Sequence, residues 1–353
     1  MYPTHRRMQG FYPIIWGVAT LTVLSCGPRK APSFQKLTGP YFGQEPPGAT
    51  AKLFAPAIVS TRFNEDGGPV FTPDGNDVFW RIGGAPFSVI VTMKQRNGHW
   101  SKPEVAPFSG QYQDGGLSMT PDGRRIYFVS KRPVTGLEPL SRFNVWMTEK
   151  TPEGWTDPTI MGPPINDPED YYTRLTIAAD GTLIKQSQRS GGKGGWDLYL
   201  CRFENGGYSD PIPLKGVNSP YNEYAPELAP DGSYLLFQSD NRPDSTGGID
   251  LYVSFREEDG SWSPGINLGE AVNTPHTEKW PSISPDGKYL FFTSDRPVDI
   301  RYAQYAKARK RLEEIQALYD FYHAPAHQPC GGDLYWIDAA IIRQIKDKPL
   351  PKR

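Results

Sequence analysis

Histidine and cysteine are scarce in this chain of 353 residues, with five and three copies respectively. Beyond the N-terminal region only Cys201 and Cys330 remain, too few for the disulfide framework that holds small exported domains together. A formal net charge of −1 leaves no excess of basic side chains, so no nucleic-acid partner is expected. Gly-x-Ser-x-Gly, His-Glu-x-x-His, Cys-x-x-Cys and phosphate-cradling glycine loops do not occur in the sequence. The signatures of a serine hydrolase, a zinc protease, a dithiol redox centre and a nucleotide site are thereby missing, and no cofactor is expected.

What the chain has in quantity is turn residues and rings. Glycine and proline number 36 each, while hydrophobic residues still make up 37%. The 19 tyrosines, 17 phenylalanines and nine tryptophans are spread along the sequence and suit strands better than helices. The length allows one large domain or two ordinary ones.

The N-terminus reads differently from the rest. His5, Arg6 and Arg7 precede the apolar run FYPIIWGVATLTVLSC at residues 11–26, which is shorter than the ~20 apolar residues of a spanning helix and has the layout of an export signal. Its end, Val23-Leu24-Ser25-Cys26, resembles a bacterial lipobox. That resemblance implies a signal over residues 1–26, a lipid on the Cys26 sulfur, a membrane partner reached through that lipid, and an address at the cell envelope. Gly27, where an aspartate would argue for inner-membrane retention, points to the outer membrane. Residues 27–50 then read as a tether.

The body of the chain repeats itself. SISPDGKYLFFTSDRP (282–297), ELAPDGSYLLFQSDNRP (227–243) and SMTPDGRRIYFVSKRP (118–133) share one strand–turn–strand wording, and weaker copies surround Asp74 and Asp180. The turn aspartates Asp74, Asp122, Asp180, Asp231 and Asp286 are separated by 48, 58, 51 and 55 residues. A third strand follows each copy, as in WDLYLCRF and IDLYVSF. A hairpin turn then leads to a short, proline-interrupted fourth, such as WSKPEV. Four strands per ~50 residues is the arithmetic of a β-propeller blade. The fifth copy lacks its fourth strand, and AKLFAPAIVS at residues 51–60 supplies a matching piece. The expectation is all-β: one β-propeller over residues 51–347, of five four-stranded blades, with an N-terminal strand closing the last blade and removing exposed sheet edges. Within that blade, Tyr305, Ala308, Leu312, Ile315, Tyr319 and Tyr322 recur at helical spacing, which predicts an inserted helix over about residues 301–322. Residues 348–353 are a tail.

The pattern S-P-D-G-K-x-L-x-F-x-S-x-R followed by G-G-x-D-L-Y resembles the TolB-type, WD40-like propeller repeat, over roughly residues 39–347. The resemblance implies fold rather than activity, because that repeat occurs in periplasmic scaffolds, envelope lipoproteins and some glycan-active enzymes.

Register against the turn aspartates picks out candidate site residues. Eight positions earlier stand Asp66, Asp114, Tyr172, Glu223 and Glu278, and six positions earlier stand Gly68, Gly116, Arg174, Ala225 and Trp280. The first set would ring one mouth of the channel. In the second, Arg174 and Trp280 alone are bulky, which suggests an asymmetric pocket for a polar ligand, with Tyr172, Arg174 and Trp280 as contacts and the acids beside them. Arg132, Arg189, Arg242 and Arg296 end the second strands and would neutralise the same acids, in which case the acids are architecture. His276, His323 and His327 fall in loops of the last blade and are the candidate metal ligands, although no specific metal motif joins them. The favoured reading is a membrane-anchored module that binds a protein or glycan partner without catalysis. The alternative is a glycan hydrolase or lyase using mouth carboxylates, for which paired acids ~5–10 Å apart are required.

Overall fold

The computed structural model describes residues 36–56, 58–61, 64–84, 87–134, 143–167, 174–297 and 332–347. The lipobox Cys26, Tyr172, the helical insertion, His323, His327 and Cys330 lie outside them. Five antiparallel sheets of four or five strands follow one another along the chain, each beginning with an inner strand: Val70–Phe71, Asp114–Met119, Leu175–Ile177, Asn222–Leu228 and Glu278–Ile283. These are the five blades of a propeller.

The blade turns explain the repeated aspartate. The glycine after it takes φ of 68–85° in all five copies (Gly75, Gly123, Gly181, Gly232, Gly287), a left-handed conformation that glycine adopts without steric cost. In every copy the aspartate carboxylate accepts a backbone N–H two residues on, from Asn76, Arg124, Thr182, Ser233 and Lys288. The side chain thus substitutes for a backbone turn partner. The second strands that follow carry fully buried rings, as with Trp80, Phe128, Phe237, Phe291 and Phe292, and these fill the space between neighbouring blades.

Closure follows the expectation. Lys52–Leu53 pairs antiparallel with Asp333–Asp338 in the register Lys52↔Trp336 and Leu53↔Tyr335, so the last blade runs from Glu278–Ile283 through Tyr289–Ser294 and Asp333–Asp338 to a strand from the start of the domain. The fourth strands of the first two blades are split, with Glu104–Val105 and Thr159–Ile160 paired to the third strands on the far side of Pro103 and Pro158, because proline has no N–H to give the ladder. Among the described residues the last strand runs into a helix, Ala340–Lys346, whose Ile341 and Ile342 are buried against the last blades.

One boundary needs correction. The end of the expected tether belongs to the folded domain. Leu37 and Phe42 are buried, and the Tyr41 ring lies 5.1 Å from Phe71, 5.0 Å from Tyr289 and 5.9 Å from Trp336. The Gly39 carbonyl accepts hydrogen bonds from Trp100 Nε1 (2.8 Å) and Gln95 Nε2 (2.9 Å). Glycine and proline around residues 39–48 suggested an extended linker. Here they permit a tight turn, Pro40–Gly43, that inserts two rings between the first and last blades.

Candidate functional site

The inner strands carry three rings of side chains, spaced two residues apart. In the outermost ring, the acids are sealed. Asp114, Glu223 and Glu278 have no exposed surface. Asp114 faces Arg132 at 3.4 Å, Glu223 faces Arg242 at 2.7 Å and Glu278 faces Arg296 at 3.2 Å. Each also accepts from a preceding loop: Ser109 to Asp114 (2.6 Å), the Ser219 N–H to Glu223 (3.0 Å), the Thr274 N–H to Glu278 (2.7 Å). Burial raises the Asp114 and Glu223 carboxyls above their ordinary range even though the arginines and hydroxyls pull them back down. Asp66 is less enclosed and bridges Arg81 (2.9 Å) and Lys279 (3.4 Å). The oxygens of Asp114, Glu223 and Glu278 thus tie down the loops that precede their strands, whereas Asp66 joins the first blade to the last. In the third blade, where Tyr172 replaces the acid, Arg189 pairs with Asp167 instead.

The second ring brings Arg174 and Trp280 together, as expected from register. The Arg174 guanidinium carbon lies 4.9 Å from the Trp280 ring centroid, a cation–π stack between the third and fifth blades. Arg174 is only 2% exposed, so it floors the channel and does not reach solvent. Trp280 occupies a β-bulge, between Lys279 and Ser282, at φ 56°. Gly116 (φ 57°) and Ala225 (φ 46°) sit at the matching bulges of the second and fourth blades. A position that suits glycine therefore holds a tryptophan. The Trp280 N–H is held by Gln238 Oε1 of the preceding blade at 2.9 Å, and the Ala225 N–H by Gln186 Oε1 at 2.8 Å.

The third ring, four positions before the turn aspartate, is Val70, Ser118, Thr176, Glu227 and Ser282. It surrounds a cavity of about 330 Å³ that opens among the Pro-Asp-Gly turns, with Pro73, Pro121, Ala179, Pro230 and Pro285 at its lip. Three ring members clasp adjacent blades: the Leu228 N–H donates to Thr176 Oγ1 (3.1 Å), the Ile283 N–H to Glu227 Oε1 (3.2 Å), and Ser282 Oγ to the Pro69 carbonyl (3.1 Å). Glu227 is the one charged member. Its Oε2 has no hydrogen-bond partner among the described residues. Burial pushes its carboxyl up to about 7, with the nearby Arg174 charge and the Ile283 N–H opposing the rise.

Sequence reasoning overlooked Glu227, yet the signal was there. The register that singled out Arg174 also places one acid among a valine and three hydroxyl residues at the next ring. Of the metal candidates, His276 is exposed and stands 4.0 Å from Asp295. Among the described residues no three histidine, cysteine or acidic side chains converge as metal ligands would. No helix among them is long and apolar enough to cross a membrane.

Neither protein-family models nor curated proteins match this sequence. Solved structures similar to it include TolB from Acinetobacter baumannii, at 18% identity and a TM-score of 0.43 over 65% of this chain and 48% of that one. A putative TolB from Agrobacterium tumefaciens matches at 18% identity and 0.42, over 65% of this chain and 74% of that one. An alpha-L-arabinofuranosidase from Lactobacillus brevis matches at 12% identity and 0.45, over 70% and 89%. The chain spans about half the length of the Acinetobacter TolB that it matches. These likenesses are of fold.

Proposed function

We propose that this propeller captures a ligand in the cup at the Pro-Asp-Gly mouth of its channel and does not transform it. One observation carries the reading. Every acid of the outermost ring has a built-in partner, whereas Glu227 turns an oxygen without a hydrogen-bond partner into a cavity of about 330 Å³, the size at which pockets begin to enclose small molecules or chain ends. Trp280 and Arg174 close the cup from behind, which accounts for a tryptophan kept at a strained bulge. Arg174 and Trp280, first assigned as contacts on the opposite mouth, thereby become the floor of a site entered from the turn side.

The lipobox-like end of the signal supports a place on the cell envelope, with Cys26 carrying the lipid and a protein or glycan as partner. A hydrolytic reading has one feature in its favour: a carboxyl held near 7 suits a general acid. A glycosidase also needs a second carboxyl flanking the bond, and the other acids of the cup, Asp180 and Asp231, are engaged by the N–H groups of their own turns.

The test is a ligand-observed NMR screen of small polar compounds against the wild type and Ala179→Trp. Ala179 is an exposed lip residue, so the bulky ring obstructs the mouth without disturbing the core. Hits that lose their signal in Ala179→Trp support the cup. Hits that all bind the variant unchanged place the site elsewhere. Turnover of a polysaccharide, abolished by Glu227→Gln, would convert the reading to an enzyme.

A further inference from the structure

Resting on the cup as the binding site, we infer that its ligand carries a primary ammonium group, set against Glu227 with an apolar body along the walls. The charge lining the cavity is unbalanced, since Asp180, Glu227 and Asp231 face it against Arg256 alone. The lip acids are already engaged in their turns, with Asp231 accepting the Ser233 N–H and hydroxyl and Asp180 the Thr182 N–H. Glu227 is the acid with capacity left. Arg174 neutralises it only from behind: it stacks on Trp280 and is 2% exposed, so it lends field to the carboxylate without filling the cavity. An arriving cation supplies the counter-charge on the open side.

The geometry of that one acid separates two kinds of cation. Oε1 already accepts the Ile283 N–H at 3.2 Å, which leaves Oε2 as the readier acceptor for the ligand. A guanidinium gains its advantage by a two-point fork onto both oxygens of a carboxylate, and here one arm of that fork would have to share Oε1 with the Ile283 N–H. An ammonium is a compact charge that one oxygen satisfies. The walls suit the rest of such a ligand, because Val70, Phe71, Met119, Ile177 and Ile283 line the cavity together with the prolines of the lip. A multivalent metal ion is a poorer fit, since it needs several oxygen ligands at once, and no such group of acids converges among the described residues.

The probes are benzylamine, benzylguanidine and benzyl alcohol, measured by NMR titration or calorimetry on the full chain. Benzylamine is expected to bind at least tenfold more tightly than the alcohol and several-fold more tightly than the guanidine, with the preference lost in Glu227→Gln. Affinity for the amine also tracks ionisation of Glu227, which is faced by Arg174, Arg256, Asp180, Asp231 and Tyr234. With that carboxyl at about 7, binding weakens about 30-fold from pH 8 to pH 5.5. Equal affinity for amine and alcohol, or amine binding indifferent to Glu227→Gln, overturns the inference. Should Glu227→Gln fail to fold, the ranking of the three probes on the wild type decides alone. If a neutral ligand is displaced by Ala179→Trp while the amine shows no preference, the cup stands and only the ligand class falls. If amine binding is unchanged in Ala179→Trp, the cup itself is refuted.

Discussion

Replacing Tyr41 by alanine tests whether the stretch before the first strand is part of the fold. Removing a fully buried large ring costs about 3–5 kcal/mol. Tyr41 is half-buried, and its ring touches Phe71, Tyr289, Phe291 and Trp336 with centroids 5.0–6.1 Å away, so a loss of about 2–3 kcal/mol is expected. No strain is relieved in return. Tyr41 sits at φ 49°, and alanine, which also carries a Cβ, meets the same steric penalty there. At about 2 °C per kcal/mol for a domain of this size, the melting temperature falls by about 4–6 °C. Tyr41→Phe keeps the rings and gives up only the exposed 3.3 Å hydroxyl bond to Asp286, so it melts within about 1 °C of wild type. Differential scanning calorimetry of the three proteins, with a deletion of residues 1–44 beside them, settles the point. A Tyr41→Ala protein that melts with the wild type, or a deletion as stable as the full chain, returns residues 27–50 to the status of tether.

Other expectations are independent of that turn. Glu227→Gln changes how stability depends on pH. The folded carboxyl titrates at about 7 against an ordinary 4.5, so its contribution is fully present below pH 4.5, is lost as pH rises through 7 and is flat above. Urea unfolding at pH 8 should find the glutamine variant more stable by up to about 3 kcal/mol, less whatever cavity water screens, with no difference at pH 4.5. Arg242→Ala leaves the Glu223 charge buried and unpaired and is expected to cost about 3–5 kcal/mol by the same assay. A cost below about 1 kcal/mol would mean that Glu223 is not held ionised by that arginine. Intact mass spectrometry of the membrane fraction should find diacylglyceryl on Cys26, and Cys26→Ala should move the protein to the soluble fraction. A variant that stays membrane-bound counts against the anchor.

The propeller was legible because each repeat states its own geometry. Pro-Asp-Gly is at once a count and a turn, and the shortage of a fourth strand in the last repeat announced the closure by Lys52–Leu53. Position along the channel was legible too, since a fixed distance from the turn aspartate in each repeat places equivalent side chains at one level, bulges included. What register could not state is which side chains are already committed. Asp114, Glu223 and Glu278 look like a mouthful of acids until their arginines and loop amides are placed. Glu227 reads as one more polar residue in a strand until its neighbours turn out to use one of its oxygens and not the other. The Tyr41–Phe42 turn escaped because two consecutive aromatics in left-handed backbone, at φ 49° and 63°, contradict local preference. Long-range packing decides that conformation.

The closure of the last blade also dictates an order of events. Lys52 and Trp336, the paired residues, are 284 positions apart, so joining them before the intervening blades exist would cost about 5 kcal/mol of chain entropy. Two residues of ladder cannot meet that cost. The chain can therefore collapse blade by blade from the first repeat, but the ring stays open until Lys52–Leu53 docks on the last blade. In that interval the outer edge of Asp333–Asp338 is bare, a template for pairing with another copy. Completion should register as a late, slow kinetic phase, read by a blue shift of Trp336 emission as Tyr41 and Phe54 pack against it at 5.9 and 5.2 Å. A chain lacking its first 60 residues should pass through every earlier phase, omit that one, and self-associate.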